Sequence, residues 1–132
     1  MRPVDRIISA VQQSLSPELL RPRYRRSNPR PLEGHCYIAA EALYHLLGGG
    51  TAGFVACVAR DVDSDTHWWV EHRWTDQRYD PTAEQYLEAG FTPPYVLGRR
   101  TGFLTSNPSK RAQIVIERAQ RILSGIPRSE TA

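Results

Sequence analysis

Lysine is nearly absent from this sequence: Lys110 is the only lysine among the 17 basic residues, and the rest are arginines. Arginine side chains suit planar anions such as carboxylates and phosphates. The formal net charge is nevertheless only +3. A charge of this size is more typical of a solvated surface than of a protein dedicated to nucleic acid.

Cysteine is also scarce, since the chain contains only Cys36 and Cys57, too few for a disulfide scaffold. No apolar run approaches the roughly 18 residues that a membrane span requires. The N-terminus lacks an apolar block followed by a small-residue cleavage site, so no signal peptide is predicted. We therefore expect a cytoplasmic protein in which both cysteines are free thiols, available for chemistry.

The usual metal and phosphate motifs are missing as well. The sequence contains no C-x-x-C or H-x-x-x-H pair, and it lacks the pairing of H-x-E with P-C-x-x-C. The glycines at 48–50 follow a predicted helix and lack the G-x-x-x-x-G-K-[ST] pattern. These absences predict a protein without a metal site, a phosphate-binding loop or a cofactor.

The elements that are present predict an α+β fold with an antiparallel sheet. Apolar residues recur at helical spacing near both ends of the chain, which indicates N- and C-terminal amphipathic helices. Asn107 is the expected cap of the last helix, with Pro108 at its first position. We expect one domain over residues 1–127 and a disordered tail over 128–132. The predicted elements are helices over 3–20 and 36–47, strands over 52–60, 66–73 and 77–81, and a turn over 98–102.

A basic segment lies between the first two predicted helices. Residues 21–31 contain five arginines and three prolines, a composition that predicts an extended loop. This loop is either a plain connector or a basic lip beside the site that follows it. In the second case Arg23, Arg25 and Arg26 are candidate anion-binding residues.

Cys36 is the candidate nucleophile because of its position. It follows Gly34 and His35 and opens a helix, where the helix dipole and the free N–H groups favour a thiolate. The same N–H groups can hold an oxyanion on a substrate. The alternative is that Cys36 is a small buried apolar residue, as most free cysteines are. Position alone leaves both interpretations open.

His67 and Asp80 are predicted to share one face of a hairpin. Their separation in the chain is odd, and a four-residue loop over 73–76 then sets Asp80 opposite Trp69 and diagonal to His67. A carboxylate in this position can hold the imidazole in one tautomer.

Three motifs in this order resemble those of transglutaminase-like enzymes, a papain-like cysteine superfamily. Gly34-His-Cys36 before an Ala/Leu-rich helix resembles the nucleophile helix of that family. The segment from His67 to Glu71 is similar to its H-x-W-V-E strand, and Asp80-Pro-Thr82 to its D-P-T strand end. The resemblance implies a papain-like core whose nucleophile helix packs on a short sheet. It also implies a triad of Cys36, His67 and Asp80, and amide or thioester hydrolysis, deamidation or acyl transfer on a protein or peptide.

The resemblance is incomplete around the oxyanion. No upstream glutamine is evident, and Asn28 is the nearest amide before Cys36. We place Asn28, His35 and Trp69 in the oxyanion or substrate vicinity. The chain also resembles small bacteriophage proteins, which would put it in the host cytoplasm.

A second function remains open from the sequence. The same fold can serve as a non-catalytic binding or inhibitor protein that contacts an acidic protein or nucleic acid through its arginine-rich surface. Exposed tryptophan and tyrosine rings would then offer stacking faces.

Overall fold

The computed structural model describes residues 2–20, 35–60 and 66–125. Within these ranges four α-helices accompany an antiparallel sheet of four strands, so the predicted α+β class is confirmed. The predicted basic loop and the predicted tail lie outside the described residues. The helices are α1 (Pro3–Ser14), α2 (Cys36–Leu46), α3 (Glu84–Leu87) and α4 (Lys110–Leu123), and the strands are β1 (Phe54–Arg60), β2 (Thr66–His72), β3 (Arg78–Tyr79) and β4 (Arg99–Thr101).

The strand order in the sheet is β3-β2-β1-β4. In the β2–β3 hairpin, Val70 pairs with Tyr79 and Glu71 with Arg78. The same register closes the hairpin, because the His72 N–H donates to the Gln77 carbonyl at 2.9 Å. Extending the register by one residue sets position 80 opposite position 69, as the odd His67–Asp80 separation predicted.

The sheet is covered on both faces. On one face, helix α2 packs on β1 and β2, and α1 and α4 pack against α2 and each other. Val70 and Trp68 belong to the same apolar cluster as these helices. Helix α2 comes close to the sheet because its Ala39 and Ala40 are small, and both are completely buried. On the other face a smaller cluster contains Cys57, Ala59, Trp69 and Tyr95. The β2 strand therefore lies between two packed layers.

Two elements are shorter than predicted. The first helix was predicted to reach residue 20 but ends at Ser14, and a three-residue 3₁₀ helix follows from Pro17. Ser16 is extended, with φ −153° and ψ 155°, because a proline disfavours the helical region for the residue before it. The third strand, predicted over 77–81, is limited to Arg78–Tyr79.

Two other local predictions were wrong because tertiary partners decide the structure there. The predicted turn over 98–102 contains strand β4 (Arg99–Thr101), which pairs with β1 through Ala56–Thr101 and Val58–Arg99. The predicted cap Asn107 is not used, and Ser109 caps α4 by accepting from the Ala112 N–H.

Ser109 is fixed in this role by a buried carboxylate. Its hydroxyl donates to Glu41 Oε1 at 2.7 Å, and its N–H donates to Glu41 Oε2 at 3.2 Å. Glu41 is completely buried in α2, so these bonds join the two helices. Among the described helices, none has the length and apolar character required to cross a membrane.

Candidate active site

Cys36 is the first residue of α2 and is half-buried. Its thiol donates to the Thr66 carbonyl at 3.4 Å, at the start of β2. The N-cap residue is His35, whose side chain does not accept a hydrogen bond from the first turn. The first backbone N–H groups of a helix have no partner within the helix, so the sulfur lies at its partially positive end.

His67 follows Thr66 in β2, and its ring is completely buried. Nε2 donates to Oδ2 of Asp80 at 2.6 Å, so Nδ1 is the ring nitrogen at which a proton can be gained or lost. Cys36 also interacts with this ring and contributes to raising its pKa. Because Asp80 occupies Nε2, Nδ1 is the nitrogen left for the sulfur. The side-chain amide of Gln85 lies 3.4 Å from the same Nδ1.

The Asp80 carboxylate accepts three hydrogen bonds. Oδ2 receives His67 Nε2 and the Tyr95 hydroxyl, the latter at 2.7 Å, and Oδ1 receives the Thr82 N–H at 3.1 Å. The next residue is also anchored, since the carbonyl of buried Pro81 accepts from the Gln12 amide of α1 at 3.0 Å. The D-P-T segment is thus held from several directions, and the carboxylate has a defined orientation.

Aromatic rings enclose His67. Trp69 stacks on it with centroids 5.7 Å apart, and Tyr86 meets it edge-on at 4.8 Å. The Tyr95 ring lies at 6.3 Å. These rings exclude water from the His67–Asp80 pair and so strengthen the electrostatic interaction between its two side chains.

The pKa values of His67 and Cys57 show that the two cysteines have different surroundings. Burial opposes the charged form of His67, but the hydrogen bond to Asp80 and the interaction with Cys36 outweigh it and raise the His67 pKa to about 9. Cys57 is buried in β1, and burial raises its pKa to about 12, with a further contribution from the Glu71 carboxylate. At neutral pH Cys57 is a protonated thiol, whereas Cys36 interacts with an imidazole whose raised pKa favours its protonated form.

The residues expected near a substrate have different positions. His35 is buried, and its Nε2 lies 2.9 Å from the Ser16 carbonyl. Its ring therefore joins the start of α2 to the segment after α1. Trp69 is buried behind His67, and its indole N–H donates to Glu71 at 3.0 Å. Both side chains support the site from within. Asn28, Arg23, Arg25 and Arg26 lie outside the described residues.

Three side chains at the site were missed in the sequence: Gln85, Tyr86 and Tyr95. They come from the segment after Asp80, in which no catalytic or substrate-binding residue was predicted. Their one sequence signal is that they follow the D-P-T motif closely. No local spacing rule predicts that residue 95 contacts residue 80.

The described side chains form no cluster suited to a metal ion: no three His, Cys, Asp or Glu residues among them group in this way. The described site offers a thiol, an imidazole and a carboxylate, which are groups that support acid–base and nucleophilic chemistry. No family model matches the chain, and no curated protein or solved structure matches it either.

Proposed function

We propose that this protein catalyses cysteine-dependent acyl chemistry on amide or thioester bonds of a protein or peptide. Cys36 is the nucleophile, His67 the general base and acid, and Asp80 the residue that orients His67. The observation that carries the proposal is the 2.6 Å hydrogen bond from buried His67 to Asp80, together with the interaction of the same ring with Cys36, whose thiol donates to the neighbouring Thr66 carbonyl at 3.4 Å. A nucleophile within reach of a base that a third group orients is the general arrangement of such sites.

The reaction begins with attack on the substrate carbonyl. Transfer of the Cys36 thiol proton to Nδ1 of His67 gives a thiolate and an imidazolium, the form of the ring that its raised pKa of about 9 favours at neutral pH. The thiolate then attacks the carbonyl carbon of the substrate. A carbon–sulfur bond forms, and the carbonyl electron pair moves to oxygen. The N–H groups in the first turn of α2 are the nearest helix-terminal donors for this oxyanion.

The later steps form the thioester and then return the free enzyme. The tetrahedral intermediate collapses, the bond to the leaving amine or thiol breaks, and the His67 imidazolium gives its proton to that group. Water or an amine then attacks the thioester while His67 takes its proton, and the Cys36 thiolate leaves. Water gives hydrolysis or deamidation, and an amine gives acyl transfer.

The arrangement of elements supports a papain-like, transglutaminase-like core. The helix that begins at the proposed nucleophile packs on β2 and β1. The proposed base lies on β2, and its carboxylate partner comes directly after β3. Nucleophile, base and orienting residue thus come from a helix, a strand and a strand end, in the order of the family that the motifs resemble.

Burial of the His67–Asp80 pair also favours an enzyme over a binding protein. Removing such a pair from water is costly, and it is seldom the best way to stabilise a fold. Buried titratable groups beside a half-exposed thiol are typical of catalytic sites.

The test is turnover of p-nitrophenyl acetate, with and without methylamine as acceptor. We expect Cys36→Ala to abolish turnover and His67→Ala to reduce it nearly as much. The double variant should be no worse than Cys36→Ala, because members of a triad act as a unit. Cys57→Ala is the matched control and should remain active. A folded Cys36→Ala variant with full turnover would contradict the proposal and would leave binding through Arg23, Arg25 and Arg26 to an acidic protein or nucleic acid.

A further inference from the structure

The Asp80 carboxylate is held unequally at its two oxygens. Oδ1 accepts from one backbone group, the Thr82 N–H at 3.1 Å. Oδ2 accepts from two side chains, His67 at 2.6 Å and Tyr95 at 2.7 Å. A carboxylate fixed at one oxygen can still rotate about its last side-chain bond. Of these three donors, only Tyr95 restrains Oδ2 independently of the His67 ring that Oδ2 orients.

The Tyr95 ring is itself fixed by packing. It meets Trp69 edge-on with centroids 5.1 Å apart, and the Arg78 guanidinium lies 3.7 Å from its centroid. Its backbone begins a 3₁₀ turn in which the Gly98 N–H donates to the Tyr95 carbonyl at 2.9 Å. Gly98 has no side chain, and a Cβ there would lie 2.4 Å from Cη2 of Trp69. The hydroxyl therefore reaches Asp80 from a preset position.

The hydroxyl also keeps its proton. Burial, and then the nearby Asp80 charge, raise the Tyr95 pKa well above its usual value. Tyr95 thus remains a donor to Asp80 throughout the pH range in which a cysteine enzyme works.

We propose that Tyr95 is a positioning residue for the reaction at Cys36, because its hydroxyl locks Asp80 in the orientation that holds His67. Its action in catalysis rests on the proposed function. Without the hydroxyl, the carboxylate rotates and its hydrogen bond to Nε2 weakens. The imidazolium then loses stabilisation, and the ring is less well aligned with the sulfur.

Tyr95→Phe tests this inference, because it removes one oxygen and keeps the ring contacts. We expect kcat for p-nitrophenyl acetate to fall about tenfold with little change in KM, as for loss of one hydrogen bond to a charged group. Tyr79→Phe is the matched control, since its hydroxyl donates to Gln77 at 2.6 Å and no described hydrogen bond joins it to Asp80 or His67. A wild-type kcat for Tyr95→Phe would overturn the inference.

A second readout does not depend on catalysis. In the Cys36→Ala background, NMR titration of the His67 ring should give a pKa lower by about 0.5 or more when Tyr95→Phe is added. An unchanged His67 pKa would make Tyr95 a packing residue only. A higher pKa would mean that Tyr95 merely draws charge from Asp80; either result overturns the positioning role. If Cys36→Ala retains turnover, the proposed function fails, while this titration still tests the Tyr95–Asp80 link.

Discussion

Oδ2 of Asp80 lies 2.6 Å from Nε2 of His67, and both side chains are almost completely removed from solvent. The hairpin register brings them together, with the carboxylate diagonal to the imidazole across β2 and β3. Because Nε2 donates in this bond, Nδ1 is the nitrogen left to gain or lose a proton. The Cys36 thiol interacts with the same ring, and we expect the two groups to exchange a proton.

Selective alkylation is the first prediction. Iodoacetamide near neutral pH should label Cys36 and spare Cys57, because Cys57 is buried and its pKa is raised to about 12. Peptide mapping after a short reaction measures this selectivity. Denatured protein is the control, since both cysteines should then react at similar rates. Preferential labelling of native Cys57 would contradict the assignment of the nucleophile.

The second prediction concerns the pH dependence of stability. The His67 pKa is raised above its unfolded value of about 6.5 to about 9, so the protonated ring stabilises the fold. This contribution is complete below pH about 6.5 and is lost as the pH rises through about 9. Urea unfolding should therefore show that the stability advantage of wild type over His67→Gln shrinks across this interval. An advantage that grows with pH would show that the His67 pKa is lowered, not raised.

Asp80→Asn should impair the site without unfolding the protein. The substitution keeps the shape but removes the charge that stabilises the imidazolium, and it permits the wrong tautomer. We expect turnover to fall by about 10²-fold or more. Asp76→Asn is the matched control, since Asp76 is exposed and bonds Arg100 at 2.7 Å. Equal turnover losses in the two variants would argue that Asp80 has no special role.

Gly98 and Gly102, which flank β4, should respond differently to a methyl group. A Cβ at Gly98 would lie 2.4 Å from the Trp69 ring and 2.9 Å from the Tyr95 carbonyl, whereas a Cβ at Gly102 meets nothing within 4 Å. Gly98→Ala should cost about 1–3 kcal/mol of unfolding free energy through overpacking. Gly102→Ala should change it by less than about 0.5 kcal/mol. Urea unfolding of both variants tests this, and equal costs would show that the close approach at Gly98 is not tight.

The sequence predicted the parts of the site that local rules determine. Parity along a hairpin relates His67 to Asp80, and the glycine before Cys36 together with the apolar stripe after it marks a helix start. These rules need only the residues of one hairpin or one helix. The α+β class follows from the same periodicities.

The sequence did not predict contacts that depend on long-range packing. Tyr95 reaches Asp80 because its segment folds back over Trp69, and the Gly98-Trp69 contact that permits this has no local signature. The glycines that flank β4 suggested a turn. The segment is nevertheless a strand, because it pairs with the edge of β1. Ser109 replaces Asn107 as the helix cap because buried Glu41 binds it. In each case a distant partner outweighs local preference.

Trapping the acyl intermediate tests the central claim, that Cys36 is a nucleophile activated by His67. Wild type is mixed with p-nitrophenyl acetate and quenched in acid, and the acetyl group is located by mass spectrometry. Background labelling is low because Lys110 is the only lysine. The account predicts one acetyl group on Cys36, far less in His67→Ala, none at this position in Cys36→Ala, and a wild-type level in Cys57→Ala. Acetylation of Cys36 at the same rate in His67→Ala, or acetyl on Cys57 in place of Cys36, would contradict it.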